Sequence, residues 1–254
     1  YQRVNDHVIY IDSAFGVMIK NMLIYGGRSD GLTAGSGIVI TSADPSKPTQ
    51  AWIENVHIWQ MPESGIELLG SGRGNIISKV RVRHIGKYGL HIQSHDNRIN
   101  NCEVGECDAY GVYVTGSANH LDEVLAWDCG LAGVDPEIDA FKVTGSLNIL
   151  SNVHADRPYR HGFSITGDKN MLGKLVARRI GIGIDGNGVF LYDATYNVVD
   201  GFIISAEGEG TLAYGVAEGG AADYNVVANG VVLGYSTAAV NLVGTNSVQD
   251  NVLG

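Results

Sequence analysis

Apolar residues in this chain alternate with polar ones in short runs, and the runs recur. The pattern Asn-x-apolar-x-x-apolar-x-apolar begins at Asn75, Asn97, Asn119, Asn148, Asn170, Asn197, Asn225 and, less perfectly, Asn246. The intervals are 22, 22, 29, 22, 27, 28 and 21 residues. Ala51 opens an equivalent segment through Ile58, and Ile19 to Ile24 shares its ending. A second motif, Gly or Ala followed by apolar-x-apolar, falls between the first at Gly37, Gly65, Gly89, Gly111, Ala140, Gly162, Gly188, Gly215 and Ala239. Each repeat of about 25 residues therefore holds at least two period-2 strands, separated by turns such as Thr115–Asn119 and Thr144–Asn148. No repeat carries a ten-residue helical pattern, which excludes the helical solenoids, and propeller blades need about 40 residues each.

Coils of this length predict an all-β fold: one right-handed parallel β-helix of about nine to ten coils, spanning residues 1–254 as a single domain. Stacked coils lie about 4.8 Å apart, so equivalent residues form columns. Directly after the glycine, the column Ile38, Ile66, Leu90, Val112, Phe141, Phe163, Val189, Val216, Val240 is wholly apolar and should point inward. Two residues later, Ile40, Leu68, Ile92, Val114, Val143, Ile165 and Leu191 do the same, and Glu218 breaks the rule. The asparagines read as a stacked amide ladder in a turn, a structural role for which Asn is suited by its tolerance of left-handed backbone. Cys107 and Cys129 occupy one column on adjacent coils and read as buried thiols. Tyr1 enters a coil almost at once and Asn246–Gly254 stops within one. Solenoid ends are normally covered, so the expectation is a longer native chain or ends capped by another chain.

Composition sharpens this in two ways. Glycine is abundant at 35 of 254 residues and charged residues make up only 17%, as expected of many turns on a low-charge surface. The formal net charge of −10 argues against a general nucleic-acid binder. No apolar run approaches the 18 residues of a membrane span, and no basic-then-apolar leader is visible. Three cysteines exclude a disulfide framework. P-loop, HExxH, paired CxxC and Gly-x-Ser-x-Gly motifs are absent. No cofactor or protein metal site is implied; a Ca²⁺ ion bridged by loop acids stays open, although no loop has EF-hand spacing.

Candidate chemistry lies in the outward columns. Between the two apolar columns run Val39, Glu67, His91, Tyr113, Lys142, Ser164, Phe190, Ala217 and Asn241, and just before the glycine run Ser64, Tyr88, Tyr110, Asp139, His161, Asn187 and Tyr214. Glu67, Tyr88, His91, Tyr110, Tyr113, Asp139, Lys142, Arg160 and His161 should thus share one face over five coils. A base, a second proton donor and a cation suit abstraction of the proton α to a uronate carboxylate. His161 or His91 is the candidate base, Tyr110 the donor or acceptor on the opposite side, Lys142 or Arg160 the neutralising cation, and Asp139 an orienting group. Hydrolysis needs two carboxylates about 5 to 9.5 Å apart. Glu67 and Asp139 are three coils apart, so that reaction requires the loop acids Asp108, Asp135 or Glu137. Trp59 and Trp127 share a column three coils apart and, if exposed, are sugar-stacking platforms; Trp52 reads as a core or loop-packing residue. Two basic segments, Arg73–Arg98 and Asp156–Arg179, suit local contact with a polyanion.

The ordered set Tyr110-Gly111-Val112, Asp139-Ala140-Phe141 and Arg160-His161-Gly162-Phe163 resembles the catalytic β-helix of mannuronan C5-epimerases. There a Tyr-Gly coil, an Asp-Gly-Phe coil and an Arg-His-Gly-Phe coil follow one another along the alginate groove. The resemblance implies Tyr110 as proton donor or acceptor, with Asp139, Arg160 and His161 binding sugar or tuning the site. The family's Asp-Pro-His after Tyr-Gly is here Tyr113-Val114-Thr115, and Val134–Glu137 lies in the next loop. More broadly the chain resembles the pectate-lyase-like carbohydrate-active superfamily.

Two functional expectations follow. One is a lyase or epimerase acting on a uronate-containing polysaccharide. The other is the shaft of a homotrimeric phage tailspike or surface appendage that binds, and in some cases depolymerises, a host glycan. Asn225–Gly254 carries a single charge, Asp250, which suits packing against neighbouring subunits. Both readings put the protein outside the cell or on a virion surface.

Overall fold

The computed structural model describes residues 6–44, 46, 48–130 and 138–254. Two parallel sheets run the length of the solenoid. The first has ten strands, from Ile9–Asp12 through Ile66–Gly70, Leu90–Ile92, Val112–Val114, Phe141–Val143 and Phe163–Ile165 to Ala238–Asn241, in spatial order matching chain order. The second has twelve strands, ten on one path with Arg81–Ile85 and His154–Asp156 off it, and it carries the longer strands, such as Trp52–Trp59, Arg98–Cys107 and His120–Trp127. Among the described residues the only helical element is the 3-10 turn Arg28–Asp30, and no helix is long and apolar enough to cross a membrane.

The period-2 pattern sets the core. Ile38, Ile66, Leu90, Val112, Phe141, Phe163, Val189 and Val216 pair in register and are buried, as are Ile40 through Leu191 in the second column. Phe141 and Phe163 stack with ring centroids 4.8 Å apart. The glycine before this column is required by close approach. A Cβ on Gly89 would lie 2.0 Å from Val104 Cγ1 and 2.7 Å from the Gly111 carbonyl of the next coil. Three outward positions depart from simple alternation: Val39, Ser164 and Ala217 are buried. Long neighbouring side chains and the adjoining turns cover a strand position that period-2 reasoning leaves in solvent; Lys142 Nζ, for example, folds over to Ser164 Oγ at 2.9 Å.

Asn75, Asn97, Asn119, Asn148, Asn170, Asn197 and Asn225 form the ladder, all buried. Each backbone N–H donates to the next asparagine's Oδ1 at 2.8–3.0 Å, so every coil is pinned to its successor at a turn whose amides are removed from water. Asn246 does not join it. It is exposed and bonds Asp223, and Ser247 Oγ accepts the Asn225 N–H instead, at 3.1 Å; the last repeat is displaced by one residue. Glu218, the break in the apolar column, is buried and accepts from Asn225 Nδ2, Ser247 Oγ and the N–H groups of Val243 and Gly244.

Strands of the second sheet bend once per coil at a residue with positive φ: Asn55, Lys79, Asn101, Glu123, Asn152 and Lys174 all lie between 50° and 54°. Asparagine adopts this backbone readily, whereas Lys and Glu do so at a cost of about 1 kcal/mol or more. Trp52 is not a core residue: it is 39% exposed on the second sheet, with Lys20 Nζ 3.9 Å from its ring centroid. Cys107 and Cys129 are buried free thiols, and burial beside its neighbour holds Cys107 well above the usual thiol range.

Candidate active site on the first sheet

Strand register aligns Glu67, His91, Tyr113, Lys142, Ser164 and Phe190 on six successive strands. The turn preceding each strand adds Tyr88, Tyr110, Asp139 and His161, and the strand Gly186–Tyr192 itself adds Asn187. Together they form a ledge parallel to the solenoid axis, with an aromatic half and a cationic half.

The aromatic half is a continuous cluster. His91 and Tyr113 stack face to face, with centroids 5.1 Å apart and planes 9° from parallel. Tyr88 stacks on Tyr110 and meets both His91 and Tyr113, and Tyr110 lies 5.2 Å from Tyr113. Beneath it, Glu67 Oε1 accepts from Ser36 Oγ at 2.6 Å, and His91 Nδ1 is 3.9 Å from Glu67 Oε2. Burial alone would raise the Glu67 pKa; the nearby His91 and the hydroxyls of Ser36 and Ser64 outweigh it and bring the pKa to about 2. Glu67 is therefore an anion at neutral pH. That anion favours a proton on His91 Nδ1, which leaves Nε2 as the imidazole's acceptor. Burial, together with Tyr88, raises the Tyr113 pKa, so its phenol keeps its proton.

The cationic half is held from below. Asp139 is wholly buried and accepts a bidentate pair from Arg160, Nε at 3.0 Å and Nη2 at 3.1 Å, plus the His161 N–H at 3.2 Å. Burial pushes the Asp139 pKa up, against the pull of Arg160, Lys142 and that N–H. Lys142, Arg160, Ser164, Phe190 and Tyr192 line a pocket of about 270 Å³. His161 is only 6% exposed and its Nδ1 accepts the Asn187 N–H at 2.9 Å. Burial and the charges of Arg160 and Lys142 hold its pKa well below the usual histidine value.

The sequence reading is thus corrected in one respect. Asp139 and His161 lie beneath the face rather than on it, because the turns before Ala140 and Gly162 tuck these side chains under Arg160 and Lys142. Trp59 and Trp127 do share a column, through Arg83 and Gly105, but it belongs to the second sheet and is remote from this ledge. Asp108 pairs with Arg28, tethering the 26–35 loop beside the site; Asp135 and Glu137 lie outside the described residues. No cluster of three metal-ligating side chains occurs among the described residues.

The family description "Right handed beta helix region" matches residues 2–137 and 36–180. The chain belongs to the right-handed β-helix family. No curated protein sequence matches it. Among solved structures it is similar to tailspike protein 2 of an Escherichia coli O157:H7 bacteriophage, with a TM-score of 0.74 at 15% identity, covering 88% of this chain and 33% of the tailspike. It is similar also to a periplasmic alginate epimerase (TM-score 0.59, 12% identity, 91% and 62% coverage). A third is pectate lyase Pel9A (TM-score 0.56, 12% identity, 93% and 80% coverage). The chain spans about a third of the tailspike's length, and at such identities the likeness establishes the fold.

On this β-helix, several site residues were not legible as such. Lys87 Nζ sits 5.0 Å from the Tyr88 ring centroid, placing a cation at the aromatic half. Ser36 supports Glu67 from the coil below, and Ser164, Phe190 and Tyr192 complete the cationic pocket. Ser164 and Phe190 were present only as column members and Lys87 only as part of the basic segment, which does not distinguish a pocket wall from plain surface.

Proposed function

We propose that the ledge binds a uronate-containing polysaccharide along the solenoid and abstracts the proton at C5 of one sugar. The carrying observation is the Glu67–His91–Tyr113 arrangement: an ionised carboxylate behind an imidazole, stacked on a protonated phenol. His91 Nε2 takes the C5 proton, and Lys87 offsets the charge that develops on the sugar carboxylate. In elimination, the C5–H electrons form a C4=C5 double bond, the C4–O bond breaks, and Tyr113 protonates the departing oxygen. In epimerisation, no bond to C4 breaks and Tyr110 returns a proton to the opposite face of C5. Lys142 and Arg160, two or more coils further along, meet carboxylates of neighbouring sugars. Hydrolysis is disfavoured because Asp139, the second carboxylate, is buried against Arg160.

The test is incubation with a panel of uronate glycans. Unsaturated ends are followed by ultraviolet absorbance, new chain ends by reducing sugar, and C5 inversion by NMR. Turnover that disappears in His91→Ala supports the reading; an undiminished His91→Ala overturns it.

A second reading is favoured by the higher likeness to the tailspike and by exposed apolar side chains on the final coils, Leu233, Val243, Val248 and Leu253. In it the chain is part of a trimeric spike on a virion or cell surface that binds glycan through the same ledge. A trimeric mass in solution supports it; a monomer at high concentration removes it.

A further inference from the structure

Hollows larger than the cationic pocket lie on the other sheet. Three adjoining hollows of about 320, 420 and 370 Å³ follow the bend of the second sheet. The first two share His57 and Arg81, and the last two share Glu123 and Leu125. Leu23, His57, Arg81, Glu103, Leu125 and His154 are register partners on successive coils. At about 4.8 Å per coil the groove is about 24 Å long, the length of a short oligosaccharide.

Two sequence signals that the first site leaves largely unused converge there. The basic segment places Lys79, Arg81 and Arg83 along one wall. Their side chains are 62%, 60% and 44% exposed, whereas the carboxylates that hold them, Glu54 and Glu103, are only 24% and 25% exposed. The acids are recessed and the cations project, so a ligand meets positive charge first; Glu123 stands at the far end. The tryptophan column supplies the rim. Trp59 is 47% exposed and backed by His84 at 5.5 Å, which fixes its plane. Trp127 lies flat across Gly105, where any Cβ would come within 2.2 Å of the indole, and Arg83 sits 5.0 Å from its ring centroid.

We infer that this groove is a second, non-catalytic binding site for an acidic glycan chain, which stacks on Trp59 and is held by Arg81 and Arg83. The inference rests on the reading that the protein handles acidic polysaccharide. It commits to glycan over nucleic acid because the ledge on the first sheet is read as taking the same acidic polysaccharide, and nucleic acid is left as an outcome of the test.

The test is binding, read in a His91→Ala background so that turnover plays no part. Affinity for polygalacturonate is compared among that chain, the same chain with Trp59→Ala, and the same chain with Arg81→Ser and Arg83→Ser. Thermal melting confirms that each variant folds. Loss of one stacking platform or of the paired guanidiniums should weaken binding about tenfold, and added salt should weaken the parent. Unchanged affinity in both groove variants overturns the inference. So does a parent that fails to bind polygalacturonate, binds a neutral glucan equally well, or prefers single-stranded DNA of equal charge. Groove variants that lose polymer affinity in a protein with no turnover would leave this inference standing while the proposed reaction fell.

Discussion

The backbone N–H of Asn187 reaches His161 Nδ1 across 2.9 Å, so the proton of the neutral imidazole belongs on Nε2. An imidazole whose lone pair is already taken by a backbone donor offers a hydrogen-bond donor at its other nitrogen, not a base. His91 is the reverse case, with its Nδ1 toward the Glu67 anion and Nε2 left to accept. The two histidines that the sequence presents as equivalent candidates are separated by what lies behind each ring.

His161 should leave a signature in the pH dependence of stability. Its pKa in the folded chain lies well below 6.5, so below about pH 6.5 the unfolded chain takes up a proton that the folded chain refuses. Stability should be full above that pH and decline as pH falls beneath it. His161→Gln should flatten this part of the curve relative to the parent in urea melts at a series of pH values. Parallel curves would show that the ring titrates freely.

Glu67 carries a window of the same sign at lower pH. With its pKa at about 2 against 4.5 for an unperturbed glutamate, its stabilising effect is complete above about pH 4.5 and is lost as pH falls toward 2. Glu67→Gln should remove that acid-side loss. If Glu67 positions His91, the same change should lower kcat with little effect on KM and shift the acid limb of the rate profile. His91→Ala should cost about 10²-fold or more in rate. Normal kcat in Glu67→Gln would reduce Glu67 to a structural carboxylate.

The columns were legible because coil stacking turns a one-dimensional repeat into a contact map. Once Gly65, Gly89 and Gly111 are aligned, the pairing of Glu67 with His91 and of His91 with Tyr113 follows. Depth was not legible. Asp139 precedes its alanine as Tyr110 precedes its glycine, yet the structure buries Asp139 and leaves Tyr110 partly exposed. The difference comes from Arg160, one coil on and 21 residues later in sequence, folding back over the carboxylate. Nor does alternation tell how far one column lies from another, so the shared column of Trp59 and Trp127 was legible but its place on the second sheet, away from the ledge, was not.

Phe141 tests the core register directly. It is fully buried and stacked on Phe163, so Phe141→Ala should destabilise the chain by about 3–5 kcal/mol, measured by denaturant unfolding. Neighbouring coils are fixed by their ladders and cannot close the gap. A loss near zero would mean that the column does not pack as described.

Glu218 makes the sharpest case against reading the apolar column as a rule. Its register partner on the preceding coil is Leu191, and a leucine there would restore the pattern. Yet its two carboxylate oxygens accept from Asn225 Nδ2 at 2.7 Å, Ser247 Oγ at 2.6 Å, Val243 N at 3.0 Å and Gly244 N at 2.9 Å. These bonds tie the ladder asparagine of one coil to the turn of the next, at the point where Asn246 has slipped out of the ladder. Glu218→Leu would leave four donors without that acceptor, two of them backbone N–H groups. A buried donor left unmade costs about 1–3 kcal/mol, more than one extra buried leucine returns if part of that side chain has no room. The expected outcome is a less stable chain in which amide exchange of Val243 and Gly244 accelerates while the coils around Phe141 keep their protection. A more stable Glu218→Leu chain with unchanged exchange at those amides would show that the last coil is held by its strand pairing alone.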